Sequence, residues 1–202
     1  MITPNSIKEG PPEYYDNAFS RGTYPNFFQI AGYVMDSLDR FKSGKLCVAE
    51  AGVRLPAFKQ PFLDIGCGMG RVSLVGYYGH GLRIDGVDFS SYGINLATCY
   101  QLKNVTFYQK DVWNFTDYDK YSVFIMTEFL EHIKDDVRFI REKIPSGSLV
   151  IISLPSPLFG DTYHLRYAES VSDIVNAYES ELNFIEAKVI GTGTYGAIAL
   201  KK

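Results

Sequence analysis

The sequence is poor in cysteine, and this limits the kinds of site that it can contain. Three cysteines occur among the 202 residues, at positions 47, 67 and 99, and no C-x-x-C pair is present. An odd, widely spaced set of this kind argues against a disulfide framework and against a zinc ribbon. The N-terminal segment also lacks the apolar stretch of a secretory signal peptide. We therefore expect a cytoplasmic protein.

Long apolar runs and an excess of positive charge are missing as well. No stretch approaches the roughly 18 consecutive apolar residues that cross a membrane. The 20 basic residues are balanced by 23 acidic ones, which gives a formal net charge of -3, whereas a nucleic-acid-binding surface would be basic. Hydrophobic residues make up 46% of the chain, enough for a sizeable core. Neither a membrane nor a nucleic acid is therefore an expected partner.

From residue 61 onward the chain alternates short apolar runs with amphipathic stretches. The runs are continuous, as in parallel strands buried on both faces. They are PFLDIG (61–66), LRIDGVD (82–88), VTFYQKD (105–111), YSVFIMTE (121–128) and SLVIISLP (148–155). One of the intervening stretches predicts a helix over 129–144. Two last strands joined by GTGTY predict an antiparallel hairpin. The pattern indicates a doubly wound α/β sheet.

The domain organisation follows from where this alternation begins. Residues 61–202 are predicted to form the α/β core. Residues 1–60 are predicted to form an N-terminal helical cap, because apolar residues recur at helical spacing within 14–42. We expect one globular domain overall.

The first predicted strand leads into the glycine-rich segment D-I-G-C-G-M-G-R, from Asp64 to Arg71. Glycines at a strand-to-helix turn let the backbone approach a ligand and let the helix N-terminus pack closely. The dinucleotide fingerprint G-x-G-x-x-G requires a third glycine at position 71, where Arg71 stands. The G-x-G-x-G spacing therefore disfavours a nicotinamide cofactor.

Four ordered segments resemble the motifs of the class I S-adenosylmethionine (SAM) dependent methyltransferases, in the small-molecule branch. They are DIGCGMG (64–70), GVDFSSYGI (86–94), QKDVW (109–113) and IMTEFLEHI (125–133). The resemblance covers residues 61–201, including the last hairpin. It implies a seven-stranded, mostly parallel Rossmann-like sheet in the order 3-2-1-4-5-7-6, with an antiparallel C-terminal strand. It also implies SAM as the cofactor and a small molecule as the methyl acceptor.

The resemblance further implies which residues bind the cofactor. Asp88 would accept the ribose hydroxyls and Asp111 would bind the adenine amino group. Taken alone, Asp88 could instead cap the helix that follows it. The implied cofactor-binding set is Tyr15, Asp64, Gly66, Cys67, Gly68, Gly70, Asp88, Phe89, Asp111, Val112, Thr127 and Glu128.

Two histidines are the candidate catalytic residues. In-line methyl transfer needs no covalent intermediate, so a base is required only where the acceptor must lose a proton. His132 follows the fourth predicted strand and is interpreted as a general base or an acceptor-orienting group. A residue that simply bonds backbone at a helix start fits the sequence equally well. His164 lies in the loop after the fifth strand and is predicted to contact the acceptor.

Two alternatives to a small-molecule enzyme stay open at this stage. The E-x-x-E-H segment resembles the metal site of the RNA 3′-terminal 2′-O-methyltransferases, which would make Glu128, Glu131, His132 and His164 ligands of a divalent ion. The balanced charge and the lack of a separate RNA-binding domain count against this alternative. The primary expectation is therefore a site without a metal. The other alternative is a non-catalytic SAM-binding module that acts through a partner.

Aromatic residues indicate where the acceptor would be held. The chain contains 15 Tyr and 14 Phe, and many of them fall in the first 41 residues and in the loop after the fifth strand. Tyr14 and Tyr15 resemble the helical lid that closes over the cofactor in this family. The stripe from Phe27 to Phe41 is predicted to pack against the sheet. We expect a partly aromatic acceptor pocket and hence a small or apolar-bodied acceptor.

Overall fold

The structure, a computed structural model, describes residues 10–21, 27–46, 55–159 and 162–202. Cys47 and parts of the predicted cap over 1–60 lie outside these ranges. The α-helices and β-strands in chain order are α1 (Pro12–Arg21), α2 (Phe27–Lys42), β1 (Phe62–Ile65), α3 (Arg71–His80), β2 (Ile84–Asp88), α4 (Ser91–Cys99), β3 (Phe107–Gln109), β4 (Val123–Thr127), α5 (Asp136–Lys143), β5 (Leu149–Pro155), α6 (Val171–Tyr178), β6 (Leu182–Val189) and β7 (Thr194–Lys201).

The described strands form one seven-stranded sheet in the order β3-β2-β1-β4-β5-β7-β6. The pairs from β3 to β5 are parallel. Strand β7 runs antiparallel to both of its neighbours, β5 and β6. The predicted fold and strand order are therefore confirmed. The strand order runs outward from β1 to β3 on one side and from β4 to β5 on the other, so the sheet switches direction of winding between β1 and β4. In open α/β sheets, ligands bind in the crevice at the carboxyl ends of the strands at such a point.

Each face of the sheet carries its own hydrophobic core. On one face, alternate strand residues such as Leu63 and Ile152 pack with α5 and α6. On the other face, residues such as Phe62 and Ile151 pack with α2 and α3. Side chains alternate between faces along a strand, so a strand that is covered on both sides must be apolar throughout. This is the physical reason for the continuous apolar runs of the sequence.

Two predicted helices differ from those in the structure. The helix predicted over 129–144 is interrupted, because a 3-10 turn (Leu130–His132) is followed by extended backbone at Ile133 before α5 begins. The carbonyl of Glu131 accepts the N–H of Leu165 at 2.6 Å. This bond from a distant loop takes an acceptor that an uninterrupted helix would use. The helical region 14–42 contains two described helices, α1 and α2, and residues 22–26 between them lie outside the described ranges.

None of the described helices is both long and apolar enough to cross a membrane. The cytoplasmic location stays a prediction from the sequence.

Candidate functional site

The glycine-rich turn joins β1 to α3 and requires glycine at specific positions. Gly66, Gly68 and Gly70 have φ of 74°, 50° and 67°, in the left-handed region that side chains disfavour. A Cβ atom on Gly66 would lie 2.5 Å from Cδ2 of Phe129, and one on Gly70 would lie 2.8 Å from the Ala97 Cβ. The turn thus brings backbone close to its neighbours at two places.

A cavity of about 550 Å³ opens at the carboxyl ends of the central strands. All but one of the predicted cofactor-binding and catalytic residues line it. The predicted residues in its wall are Tyr15, Asp64, Gly66, Cys67, Gly68, Asp88, Phe89, Asp111, Val112, Thr127, Glu128, His132 and His164. Gly70 is not in the wall, because it is the N-cap residue that precedes α3 and lies close to Ala97 and Phe107. A single cavity therefore brings together residues from four separate sequence motifs, from helix α1 and from the loop after β5.

Asp88, at the end of β2, is held by two backbone donors. The N–H of Gly68 donates to its Oδ2 and the N–H of Ser90 donates to its Oδ1, each at 2.8 Å. Burial nevertheless raises the pKa of Asp88, and these hydrogen bonds only partly offset that effect. Burial and the neighbouring Asp88 charge together raise the pKa of Asp64 well above its usual value. The carboxylates of these two residues make this end of the cavity acidic.

Asp111 lies beyond the end of β3, where its side chain shapes a turn. Its Oδ1 accepts the N–H of Trp113 at 2.8 Å. The Asp111 side chain is exposed, whereas the neighbouring Val112 is buried. An exposed carboxylate beside a buried apolar side chain offers both a polar and an apolar contact to a planar ligand.

Glu128 follows β4 in an unusual backbone conformation. Its φ is 50°, which is uncommon for a residue other than glycine and is typical of functional sites. Ser153, on the adjacent strand β5, donates its hydroxyl to Glu128 Oε1 at 2.9 Å, and Glu128 donates its N–H to Ser153 Oγ at 3.0 Å. Burial raises the pKa of Glu128 to about 7. The sheet thus fixes a carboxyl group that titrates near neutrality at the cavity wall.

Glu131, His132 and His164 form a cluster deeper along the same wall. Glu131 is fully buried, and neither of its carboxylate oxygens has a hydrogen-bond partner among the described residues. His132 Nε2 lies 4.0 Å from Glu131 Oε1, and the two imidazole rings are 4.7 Å apart between centroids. Burial, and secondarily the charge of Glu128, raise the pKa of Glu131 well above its usual value. One ligand atom from each residue of the cluster lies within 4.8 Å of those of the others.

Aromatic rings surround the histidine end of the cavity. Tyr15, on α1, packs edge-on against His132 at 5.3 Å and against Phe89 at 5.2 Å. Tyr14 packs against Tyr163 at 4.4 Å. Helix α1 therefore forms a wall between the β2 end of the cavity and the loop that carries His164.

Several cavity residues were not predicted as site residues from the sequence. Arg71 follows the glycine segment, and its guanidinium lies 5.3 Å from the centre of the Phe27 ring. Both residues line the cavity. Phe27 thus begins the apolar stripe of α2 but faces the cavity as well as the core. Trp113 also lines it. Phe159 lines it as well, in the loop after the fifth strand where aromatic pocket residues were expected from the sequence. For Arg71 the available signal was its position directly after the glycine motif, and for Trp113 its position as the last residue of the segment 109–113.

Comparisons with known proteins identify the family and the fold. A family model described as a methyltransferase domain matches residues 30–183. A search of curated proteins found no match. Among solved structures, a SAM-dependent methyltransferase from Aquifex aeolicus aligns with a TM-score of 0.66 and 14% identity, over 96% of this chain and 100% of that one.

Two further solved structures show the same likeness. The DhpI–SAH complex aligns with a TM-score of 0.63 and 17% identity, over 94% of each chain. Magnesium protoporphyrin IX methyltransferase (ChlM) from Synechocystis PCC 6803, with bound SAH, aligns with a TM-score of 0.60 and 17% identity, over 87% of this chain and 84% of that one. At these identities the likeness concerns the fold.

Proposed function

The chain belongs to the class I SAM-dependent methyltransferases, and from that premise we propose that it methylates an oxygen or nitrogen atom of a small-molecule acceptor. One observation carries the proposal. A single cavity has acidic side chains and a glycine turn at one end, and two imidazoles among aromatic rings at the other. A pocket of about 550 Å³ is within the usual size range of small-molecule sites.

The first end of the cavity fits the adenosine and methionine parts of the cofactor. The backbone at Gly66 and Gly68 is free of side chains, which favours close approach of a ligand. Asp88 and Asp111 offer carboxylate acceptors suited to ribose hydroxyls and to an adenine amino group. Asp64 and Glu128 are candidates for the methionyl amino group, which is cationic. We propose that the predicted cofactor-binding residues that line the cavity contact SAM directly. Gly70 would contribute indirectly, by allowing the backbone conformation of the glycine turn.

The second end of the cavity fits an acceptor that loses a proton. When bound, SAM supplies a methyl group attached to an electron-poor sulfonium. A neutral imidazole of His132 or His164 would accept the proton from an acceptor hydroxyl or ammonium, and the other would orient it. Tyr15, in edge contact with His132, supports this assignment because its ring covers one side of the imidazole.

We also propose that residues 1–60 cap the core over 61–202 and complete the acceptor pocket. The described part of this segment supports the proposal, because Tyr14, Tyr15 and Phe27 line the cavity.

Calorimetry and product formation test the proposal together. The protein should bind SAH but not NAD, and Asp88→Asn should weaken SAH binding more than tenfold. A panel of phenols, carboxylic acids and amines is then screened for SAM-dependent SAH release. His132→Ala and His164→Ala should keep SAH affinity and lose turnover of the acceptor that is found. Binding of NAD in place of SAH, or full turnover in both histidine variants, would refute the proposal.

A metal-dependent 2′-O-methyltransferase acting on RNA 3′ ends is the second candidate, and one observation favours it. The fully buried Glu131 carboxylate has no hydrogen-bond partner in the part of the chain that the structure describes, and it lies beside His132 and His164. A carboxylate with two imidazoles suits Zn²⁺ or another divalent transition metal. Glu128, the fourth ligand implied by the sequence, is engaged by Ser153.

Elemental analysis separates the two candidates. A metal-dependent enzyme should purify with about one equivalent of metal, lose it in Glu131→Gln, and methylate a short oligoribonucleotide. Metal-free protein that is active on a small molecule would eliminate this candidate. Glu142→Gln, at an exposed glutamate, serves as the matched control for metal content.

A further inference from the structure

The loop that carries His164 is anchored by two backbone hydrogen bonds that come after that residue in the chain. The N–H of Leu165 donates to the Glu131 carbonyl at 2.6 Å, and the N–H of Ala168 donates to the Pro155 carbonyl at 3.0 Å. These bonds tie the backbone of the loop to the 3-10 turn after β4 and to the end of β5. They do not by themselves set the direction of the loop's side chains.

A side-chain network provides the third anchor, two residues after His164. The Arg166 guanidinium donates two hydrogen bonds to the Asp136 carboxylate, from Nε to Oδ2 and from Nη2 to Oδ1, the latter at 3.0 Å. Asp136 is buried and is the first residue of α5. Tyr178, the fully buried last residue of α6, donates its hydroxyl to Asp136 Oδ2 at 2.9 Å. The guanidinium also lies 5.5 Å from the centre of the Tyr178 ring.

We propose that Arg166 is a positioning residue, which fixes His164 beside His132 through its two-point bond to Asp136. The inference rests on the proposed role of the two histidines at the acceptor. His132 belongs to the turn that leads into α5, and Asp136 begins that helix. Arg166 therefore ties the loop bearing one histidine to the segment bearing the other, and the spacing of the imidazoles depends on it.

The chemistry of the bond explains why arginine stands here. A guanidinium presents parallel donors in a rigid plane that matches a carboxylate, whereas an ammonium acts as a single point charge. Arg166→Lys therefore keeps the charge opposite Asp136 but loses the fixed orientation. Arg166→Gln loses both. The two variants separate a requirement for orientation from a requirement for charge.

Nuclear magnetic resonance of the histidine rings tests the proposal without an acceptor. The chain contains three histidines, so the ring protons are readily assigned. In the wild type, a nuclear Overhauser cross-peak should join His132 and His164, whose rings are 4.7 Å apart. The cross-peak should weaken several-fold in Arg166→Gln and by a smaller factor in Arg166→Lys. The signals of His80, on α3, should not move. Arg138→Gln, which breaks an exposed pair on α5, is the matched control and should leave the cross-peak intact.

The outcomes distinguish this inference from the proposed function. A cross-peak of wild-type strength in either Arg166 variant, or none in the wild type, overturns the positioning role. If Arg166→Gln fails to fold, Arg166→Lys decides the question by the same measurement. SAH affinity, measured by calorimetry on the same proteins, should stay within twofold of the wild type. Failure of the wild type to bind SAH would count against the proposed function and leave the cross-peak result standing on its own.

Discussion

Replacing Glu128 by glutamine tests the electrostatics of the cavity most directly. Burial raises the pKa of Glu128 to about 7 from a usual value of 4.5. Between these two pH values, Glu128 therefore stays protonated in the folded protein, whereas it is ionised in the unfolded chain. The associated stability is fully present below the unfolded pKa and is lost as the pH rises through the folded pKa. The unliganded wild type should thus become less stable between about pH 4.5 and about pH 7.

The magnitude follows from the two pKa values. The difference between 7 and 4.5 corresponds to about 3 kcal/mol at roughly 1.4 kcal/mol per pKa unit. Glutamine is neutral throughout, and its amide oxygen can still accept the hydroxyl of Ser153. Glu128→Gln should therefore exceed the wild type in stability by up to about 3 kcal/mol near pH 8, or very roughly 6–12 °C in Tm. Near pH 4.5 the two proteins should be equally stable.

Urea unfolding of both proteins at the two pH values measures this difference. The exposed Glu179 provides a matched control, because Glu179→Gln should leave the pH dependence of stability unchanged. The explanation is refuted if Glu128→Gln is no more stable than the wild type near pH 8. It is also refuted if the gain is the same at both pH values, since a gain independent of pH cannot come from ionisation.

Three other substitutions have expected outcomes. Gly66→Ala combines a φ of 74° with a Cβ 2.5 Å from Phe129, so it should cost about 1–3 kcal/mol in urea unfolding and abolish SAH binding in calorimetry. Arg40, and secondarily Lys188, lower the pKa of Glu186 to about 2, so the wild type should lose about 2 kcal/mol, after allowance for solvent screening, between about pH 4.5 and about pH 2. Arg40→Gln should lose less over this range, because of these two residues only Lys188 then pairs with Glu186. Tyr15→Ala should weaken SAH binding several-fold through lost ring contacts, whereas Tyr15→Phe should bind as the wild type does; equal affinities in all three proteins would argue against a lid.

The sheet was predictable because its signals are local. Strands buried on both faces must be continuously apolar, and the hairpin is encoded by its glycine-rich turn. The resemblance to the methyltransferase family implied the roles of Asp88 and Asp111, and both residues follow strands whose carboxyl ends lie at one edge of the sheet. Strand order came from the family resemblance.

What escaped prediction depends on contacts between distant segments. The apolar residues of 129–144 have helical spacing, yet the helix is interrupted where the Glu131 carbonyl accepts a hydrogen bond from the N–H of Leu165. Helical spacing alone also cannot show that Phe27 borders the cavity with Arg71. The closeness of His132 and His164 is set by a loop whose anchors lie on α5 and α6.

The two backbone donors on Asp88 have a consequence for the thermodynamics of ligand binding. Because Gly68 and Ser90 already hold its carboxylate, this side chain has one orientation before any ligand arrives. Ordering a flexible side chain on association typically costs about 0.5–1.5 kcal/mol. In this protein the conformational entropy of the Asp88 side chain is lost during folding instead. The cleft is therefore preorganised for a nucleoside, and binding of the nucleoside carries no entropy cost for ordering this carboxylate.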